Sequence, residues 1–150
     1  MNSLKLISLN VERSKHLDLV VPFLQQENAD VVCVQELMEY DIPGFEAALG
    51  ARCIFVPATR HQAEGKSGIM GGSSLFTRWP VSHQQTSYYV GDAGTIVDFD
   101  LTNTQTKHAT ESHAVLQCDI EKDNTSFHIA TTHFTWTPDG QPDDFQREDI

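Results

Sequence analysis

The stretch Asp30-Val31-Val32-Cys33-Val34-Gln35-Glu36 constrains the fold of this chain more than any other. A short β-branched apolar run with no polar alternation reads as a strand buried on both faces. It ends abruptly in an amide and a carboxylate. Sheets built from strand-helix-strand units gather ligands beyond the carboxyl ends of their strands, so Glu36 stands where chemistry is usually placed. Position alone leaves a second reading open, in which Glu36 begins a solvated loop.

Residues 5–11 read as a first strand, with Asn10 near its carboxyl end. Leu17, Val20, Val21 and Leu24 then recur at helical spacing within 15–28, and Pro22 should kink that helix or delay its start. The resulting strand-helix-strand unit should be right-handed. Its two parallel strands would bring Asn10 and Glu36 to one sheet edge.

Downstream, 42–49 reads as a short helix closed by Gly50, and 52–57 as a strand. A polar loop over 59–67 carries Arg60, His61 and Lys66. In the strand expected over 68–78, Gly71 and Gly72 permit a bulge or a close backbone approach. Strands over 82–90 and 95–101 are expected to join through a hairpin turn, Gly91-Asp92-Ala93-Gly94, and 102–110 to be a polar connection. Residues 113–120 and 126–134 flank Asp123-Asn124 as a hairpin. Trp136 lies in a polar loop, and 143–150 opens as a helix capped by Asp143 or Asp144.

At 150 residues, 39% hydrophobic and 21% charged, the chain suits one domain, 1–150, with its own core. No run approaches the roughly 20 apolar residues of a spanning helix, and the amino end enters a strand pattern without a basic flank and apolar core. Three cysteines, Cys33, Cys53 and Cys118, each lie in an apolar run, which points to free thiols in a reducing cytoplasm. The net charge of −11 argues against a sequence-independent grip on duplex DNA. The charge is uneven, +3 over 51–90 and −6 over 119–150.

Asn10, Glu36 and His133 stand at the ends of otherwise apolar strands. A hard cation such as Mg²⁺ takes one or two carboxylates and completes its shell with waters and phosphate oxygens. Glu36 could be that carboxylate, Asn10 could orient a water or phosphate oxygen, and His133 could donate to a phosphate as charge builds.

Four segments in order, Leu6-Ile7-Ser8-Leu9-Asn10, Val34-Gln35-Glu36, Ser74-Leu75-Phe76-Thr77-Arg78-Trp79-Pro80-Val81 and Ile129-Ala130-Thr131-Thr132-His133-Phe134, resemble the endonuclease/exonuclease/phosphatase superfamily. The resemblance implies an α+β fold, the four-layer α/β/β/α sandwich of DNase I-like proteins. It implies hydrolysis of a phosphate ester with Mg²⁺, or Mn²⁺ in its place. Glu36 would ligate the metal, Asn10 would sit beside it at metal and phosphate, and His133 would be the histidine of an Asn-Thr-His-like motif. Thr131 replaces the usual asparagine of that motif, and Arg78 falls in a structural segment.

The superfamily's Gly-Asp-x-Asn and Ser-Asp-His motifs, which orient the nucleophile and supply the base, do not occur here. By that resemblance the 150 residues would be the amino-terminal half to three-fifths of an enzyme, inactive alone, with an uncovered apolar sheet face inviting self-association. Two other readings stay open. One is a non-catalytic binding module with the same sandwich; the other is an unrelated domain binding zinc through His113, His128 or His133. The substrate, whether nucleotide, sugar phosphate, lipid head group or nucleic acid, is left open by the sequence.

Overall fold

The computed structural model describes residues 2–63, 66–100, 102–137 and 140–149. Among the described residues seven strands form two sheets. The first has the order β1-β2-β4-β3, from β1 (Leu6–Asn10), β2 (Val31–Met38), β3 (Arg52–Ala63) and β4 (Lys66–Thr77). The second has the order β5-β6-β7, from β5 (Val81–Val90), β6 (His113–Lys122) and β7 (Thr125–Thr132). β1 and β2 pair in parallel, whereas the other ladders described are antiparallel; α1 (Leu17–Glu27) makes the β1–β2 crossover and contains Pro22.

The continuous apolar run of β2 is explained by its two neighbours. Val32, Val34 and Leu37 pack under α1 and α2 (Ile42–Leu49) with Leu24, Phe45 and Phe76, the two phenylalanine rings stacking at 5.5 Å. Val31 and Cys33 point the other way, into a core shared with Leu75 of β4 and Leu116, Cys118 and Ile120 of β6. Each such side chain removed from water contributes about 1.5–3 kcal/mol, so a strand apolar on both faces belongs between a helical layer and a second sheet. All three cysteines are free. Burial raises the thiols of Cys33 and Cys53, to about 11 and about 12.

Several expected elements take a different form. β2 does not stop at Glu36 but runs on to Met38 through a bulge. Of the polar segment 59–67, residues 59–63 belong to β3 and 66–67 to β4, two strands whose backbone pairing overrides composition; residues 64 and 65 and the Lys66 side chain lie outside the described residues. Residues 95–100 form no ladder strand, only an isolated bridge between Arg60 and Asp98, and Leu101 lies outside the described residues. Gly91-Asp92-Ala93-Gly94 is therefore a local turn, with Gly94 N donating to Asp92 Oδ1 at 2.7 Å, and not the bend of a hairpin. The connection over 102–110 contains α3 (Thr104–Ala109), started by a capping box between Asn103 and Thr106. The carboxyl end does turn into α4 (Asp144–Glu148), with Asp143 accepting from Gln146 N.

The two sheets and the α1/α2 layer give three of the four expected layers. The outward face of the second sheet is exposed at Gln85, Ser87, Gln117, Ser126 and His128. Alternation along β6 and β7 turns Leu116, Cys118, Ile120 and Ile129 toward the first sheet, while Val81 of β5 stays exposed. Among the described residues no helix is long and apolar enough to cross a membrane.

Candidate active site at the strand rim

Two strand ends and a bulge deliver the site. Asn10 is the last residue of β1, in register with Gln35 of β2. Between Val34 and Leu37 the chain advances three positions while β4 advances two, Ser74 to Gly72, so one residue of β2 is extra. That residue region contains Glu36, held at φ 55. A bulge re-aims a side chain, and here it swings a carboxylate out of a strand that is otherwise core. Gly72, which pairs with Leu37 just past the bulge, lies close against β3 on its other side: a Cβ there would stand 2.1 Å from the Val56 carbonyl oxygen.

His133 follows the end of β7 and crosses to the same rim from the second sheet. Gln35, buried between the sheets, ties the strands together by donating to Ser8 Oγ at 3.2 Å and Thr131 Oγ1 at 3.1 Å. Asn10 Nδ2 donates to Glu36 Oε1 at 2.8 Å and lies 3.4 Å from His133 Nε2. His133 Nε2 is 3.5 Å from the same Glu36 oxygen. The amide, acid and imidazole expected from the sequence thus meet.

The amide oxygen of Asn10 accepts from Glu12 N at 2.8 Å, which turns its NH₂ toward the site. Asn10 therefore orients Glu36; to ligate a cation directly it would have to turn over and release Glu12. A hard-oxygen donor set of one carboxylate with open space beside it fits the Mg²⁺ pattern of few protein ligands and many waters. Among the described residues no group of three or more His, Cys, Asp or Glu could enclose a metal, so a fully protein-built cage is not what these residues offer.

The histidines proposed for zinc do not converge. His128 lies on the outward face of the second sheet against Asp119, while His113 and His133 rings stand 6.4 Å apart at the rim. The physical reason is strand alternation: positions 128 and 133 of one chain segment face opposite sides of the sheet.

Behind the triad opens a cavity of about 840 Å³, lined also by Arg13, Thr59, His61, Lys107, Glu111, His113 and Trp136. His61, expected in a solvated loop, faces this cavity with Nε2 2.8 Å from Thr59 Oγ1, whereas Arg60 pairs with Asp98 at 4.0 Å. Arg78 is structural, donating to Asn28 at 2.9 Å, with Asp30 3.7 Å away. Burial lowers the pKa of His133; Glu36 opposes that shift and Lys107 adds to it. Burial also lowers His113 and His61, and raises Glu111 against the pull of Lys107.

His113 Nδ1 donates to the His133 carbonyl at 3.0 Å, while its buried Nε2 has no hydrogen-bond partner and lies 3.8 Å from Glu111 Oε2. With the proton committed to Nδ1, a neutral ring presents a lone pair to that carboxyl, which suits the raised Glu111. Sequence reading did not connect Arg13, Lys107 and Glu111 with the site, and for Trp136 it weighed stacking on a substrate ring against covering core. They sit on a turn, a short helix and loops whose spacing carries no motif.

Two facing sheets, with a helical layer outside the first and a polar rim where strands of both end, define the DNase I-like class of α/β sandwich. The chain belongs to the Endonuclease/Exonuclease/phosphatase family, whose model matches residues 7–149. Similar solved structures include an endonuclease/exonuclease/phosphatase from Bacteroides vulgatus (TM-score 0.61, 16% identity, 89% of this chain and 53% of that one). A humanized D. rerio TDP2 is also similar (0.58, 14%, 91% and 52%), as is a mannosyl-6-phosphatase from Bacteroides thetaiotaomicron (0.54, 14%, 87% and 50%). At these identities the likeness is one of fold. The chain spans about half the length of the structures it resembles. No curated protein matches it.

Proposed function

We propose that this chain carries the carboxylate half of a Mg²⁺-dependent phosphate ester hydrolase, with Glu36 as the metal ligand. The observation that supports it is the convergence of Asn10, Glu36 and His133, each pair within 3.5 Å, from β1, β2 and the end of β7. Bound Mg²⁺ would supply charge neutralisation to a phosphate oxygen. Asn10 holds the Glu36 carboxylate in one orientation through its NH₂. His133, whose pKa burial lowers, can donate a hydrogen bond to a phosphate oxygen at the rim. Gln35 and His113 keep the two sheets and the His133 backbone in register.

A positioned base contributes roughly 10²–10⁴-fold, and the family motifs that would supply it are not in these 150 residues. The chain alone should therefore show no turnover of an aryl phosphodiester with Mg²⁺. The decisive measurement is Mg²⁺ binding by calorimetry. Weak binding lost in Glu36→Ala supports the assignment; equal affinity in that variant would overturn it.

A further inference from the structure

The cavity has features that the rim triad does not use. Glu12, Arg13 and Ser14 follow β1 with φ of 46°, 56° and 68°, three consecutive residues other than glycine in the left-handed region. Such backbone persists only where surrounding contacts over-determine it. Here Glu12 N donates to Asn10 Oδ1 at 2.8 Å and Arg13 N to the Glu36 carbonyl at 3.2 Å. The turn sets the Arg13 side chain into the cavity wall beside Glu36. Among the described residues its guanidinium makes no side-chain hydrogen bond and no ion pair. The residue is exposed and lines the cavity, and its charge reaches both His61 and Glu111 across it.

A second wall comes from α3 and the segment after β7. Lys107 Nζ sits 3.9 Å from the centroid of the Trp136 ring and 3.8 Å from Glu111 Oε1, so this cation already has partners. Trp136 lines the cavity and is 48% exposed. An indole half in water at a cavity wall is not serving as a cover for core, and its free ring surface is suited to stacking.

We infer that Arg13 and Trp136 are the recognition groups of this cavity, and that its ligand is a compact phosphate ester whose alcohol is a planar ring. Arg13 takes phosphate oxygens beside Glu36 and His133, and Trp136 stacks on the ring. The inference rests on the hydrolase reading for the place of the phosphate. A polymeric phosphate is disfavoured. The cavity offers one uncommitted guanidinium against three carboxylates, Glu12, Glu36 and Glu111, in a chain of net charge −11, whereas polynucleotide binding draws on many phosphate contacts. A volume of about 840 Å³ suits a small ligand.

The test is calorimetric titration of the chain with phenyl phosphate and with inorganic phosphate, both in EDTA so that no metal takes part. Phenyl phosphate should bind roughly 10-fold more tightly, the gain expected from one aromatic stack. Trp136→Leu should bring the two affinities together, and Trp136→Phe should keep most of the preference. Arg13→Gln should weaken both ligands roughly 10-fold. Trp79, whose Nε1 donates to Asp30 at 2.9 Å away from the rim, reports by its fluorescence that each variant is folded. A preference unchanged in Trp136→Leu, affinities unchanged in Arg13→Gln, or no binding of phenyl phosphate at millimolar concentration would each overturn the inference. If Glu36→Ala leaves Mg²⁺ affinity intact while phenyl phosphate binding still follows Arg13 and Trp136, the hydrolase reading fails and the ligand assignment stands.

Discussion

The side-chain amide of Asn10 donates to Glu36 Oε1 across 2.8 Å, joining the end of β1 to the bulge in β2. Asn10→Asp would replace that donor with a second carboxylate. We expect a loss of about 1–2 kcal/mol in urea denaturation at pH 7, from the lost hydrogen bond and the like-charge contact. Added Mg²⁺ should recover part of it. A variant as stable as the parent without metal would show that the contact contributes nothing.

The rim histidines make a prediction about pH. Burial lowers His113, and likewise His61 and His133, so the folded chain resists protons that the unfolded chain accepts near pH 6.5. Their contribution is complete above pH 6.5 and is lost as pH falls from there toward the lowered folded values. Glu111, raised by burial, works in the opposite direction, its contribution falling as pH rises above about 4.5. Urea midpoints should drop between pH 7 and pH 5.5, and the drop should be smaller in His113→Gln, which can still donate to the His133 carbonyl. A flat profile in the parent chain would refute this.

At the far end of the sandwich, Asp30 links the two sheets. Burial alone would raise its pKa, but hydrogen bonds from Lys122 Nζ (2.8 Å), Lys5 N (2.8 Å) and Trp79 Nε1 (2.9 Å) bring it down to about 2. A depressed carboxyl stabilises the fold above its unfolded value of 3.8 and loses that effect as pH falls toward 2. Asp30→Asn should cost about 2 kcal/mol at neutral pH, since its partners lose their charged acceptor. A change under about 0.5 kcal/mol would mean that the partners simply turn to solvent.

Two glycines make a matched pair. Gly72→Ala would drive a Cβ to 2.1 Å from the Val56 carbonyl oxygen, where rigid backbone on both sides cannot yield, and should cost 2 kcal/mol or more, about the upper range for overpacking. Gly44, inside α2, has nothing within 4 Å of the same position, so Gly44→Ala should stabilise by about 0.5–1 kcal/mol. Thermal melts of the two variants should move in opposite directions.

Where local rules and tertiary context agreed, the elements were legible in the chain. The helix over Ile42–Leu49 has the expected limits because Gly50 supplies the left-handed cap at φ 58. The β6–β7 hairpin turns at Asp123-Asn124, φ 50 and 58, as that dipeptide favours. Ile96 and Val97 looked like strand residues, yet their segment meets the outer edge of β3 only around the Arg60–Asp98 bridge, where Arg60 N donates to the Val97 carbonyl and Phe99 N to the Arg60 carbonyl. The polar connection before β6 hid α3, whose start depends on one capping box and whose place depends on packing.

By itself the amino-acid order determined that β2 lies between two layers, through a run apolar at every position from Val31 to Val34, and it marked Asn10, Glu36 and His133, because a polar group following an apolar run is visible as a pattern. Only the tertiary structure decided how Glu36 is aimed and what surrounds it. A bulge is a mismatch between two strands, invisible in either one, and Arg13, Lys107, Glu111 and Trp136 become neighbours only when a turn, a short helix and a loop fold over the same rim.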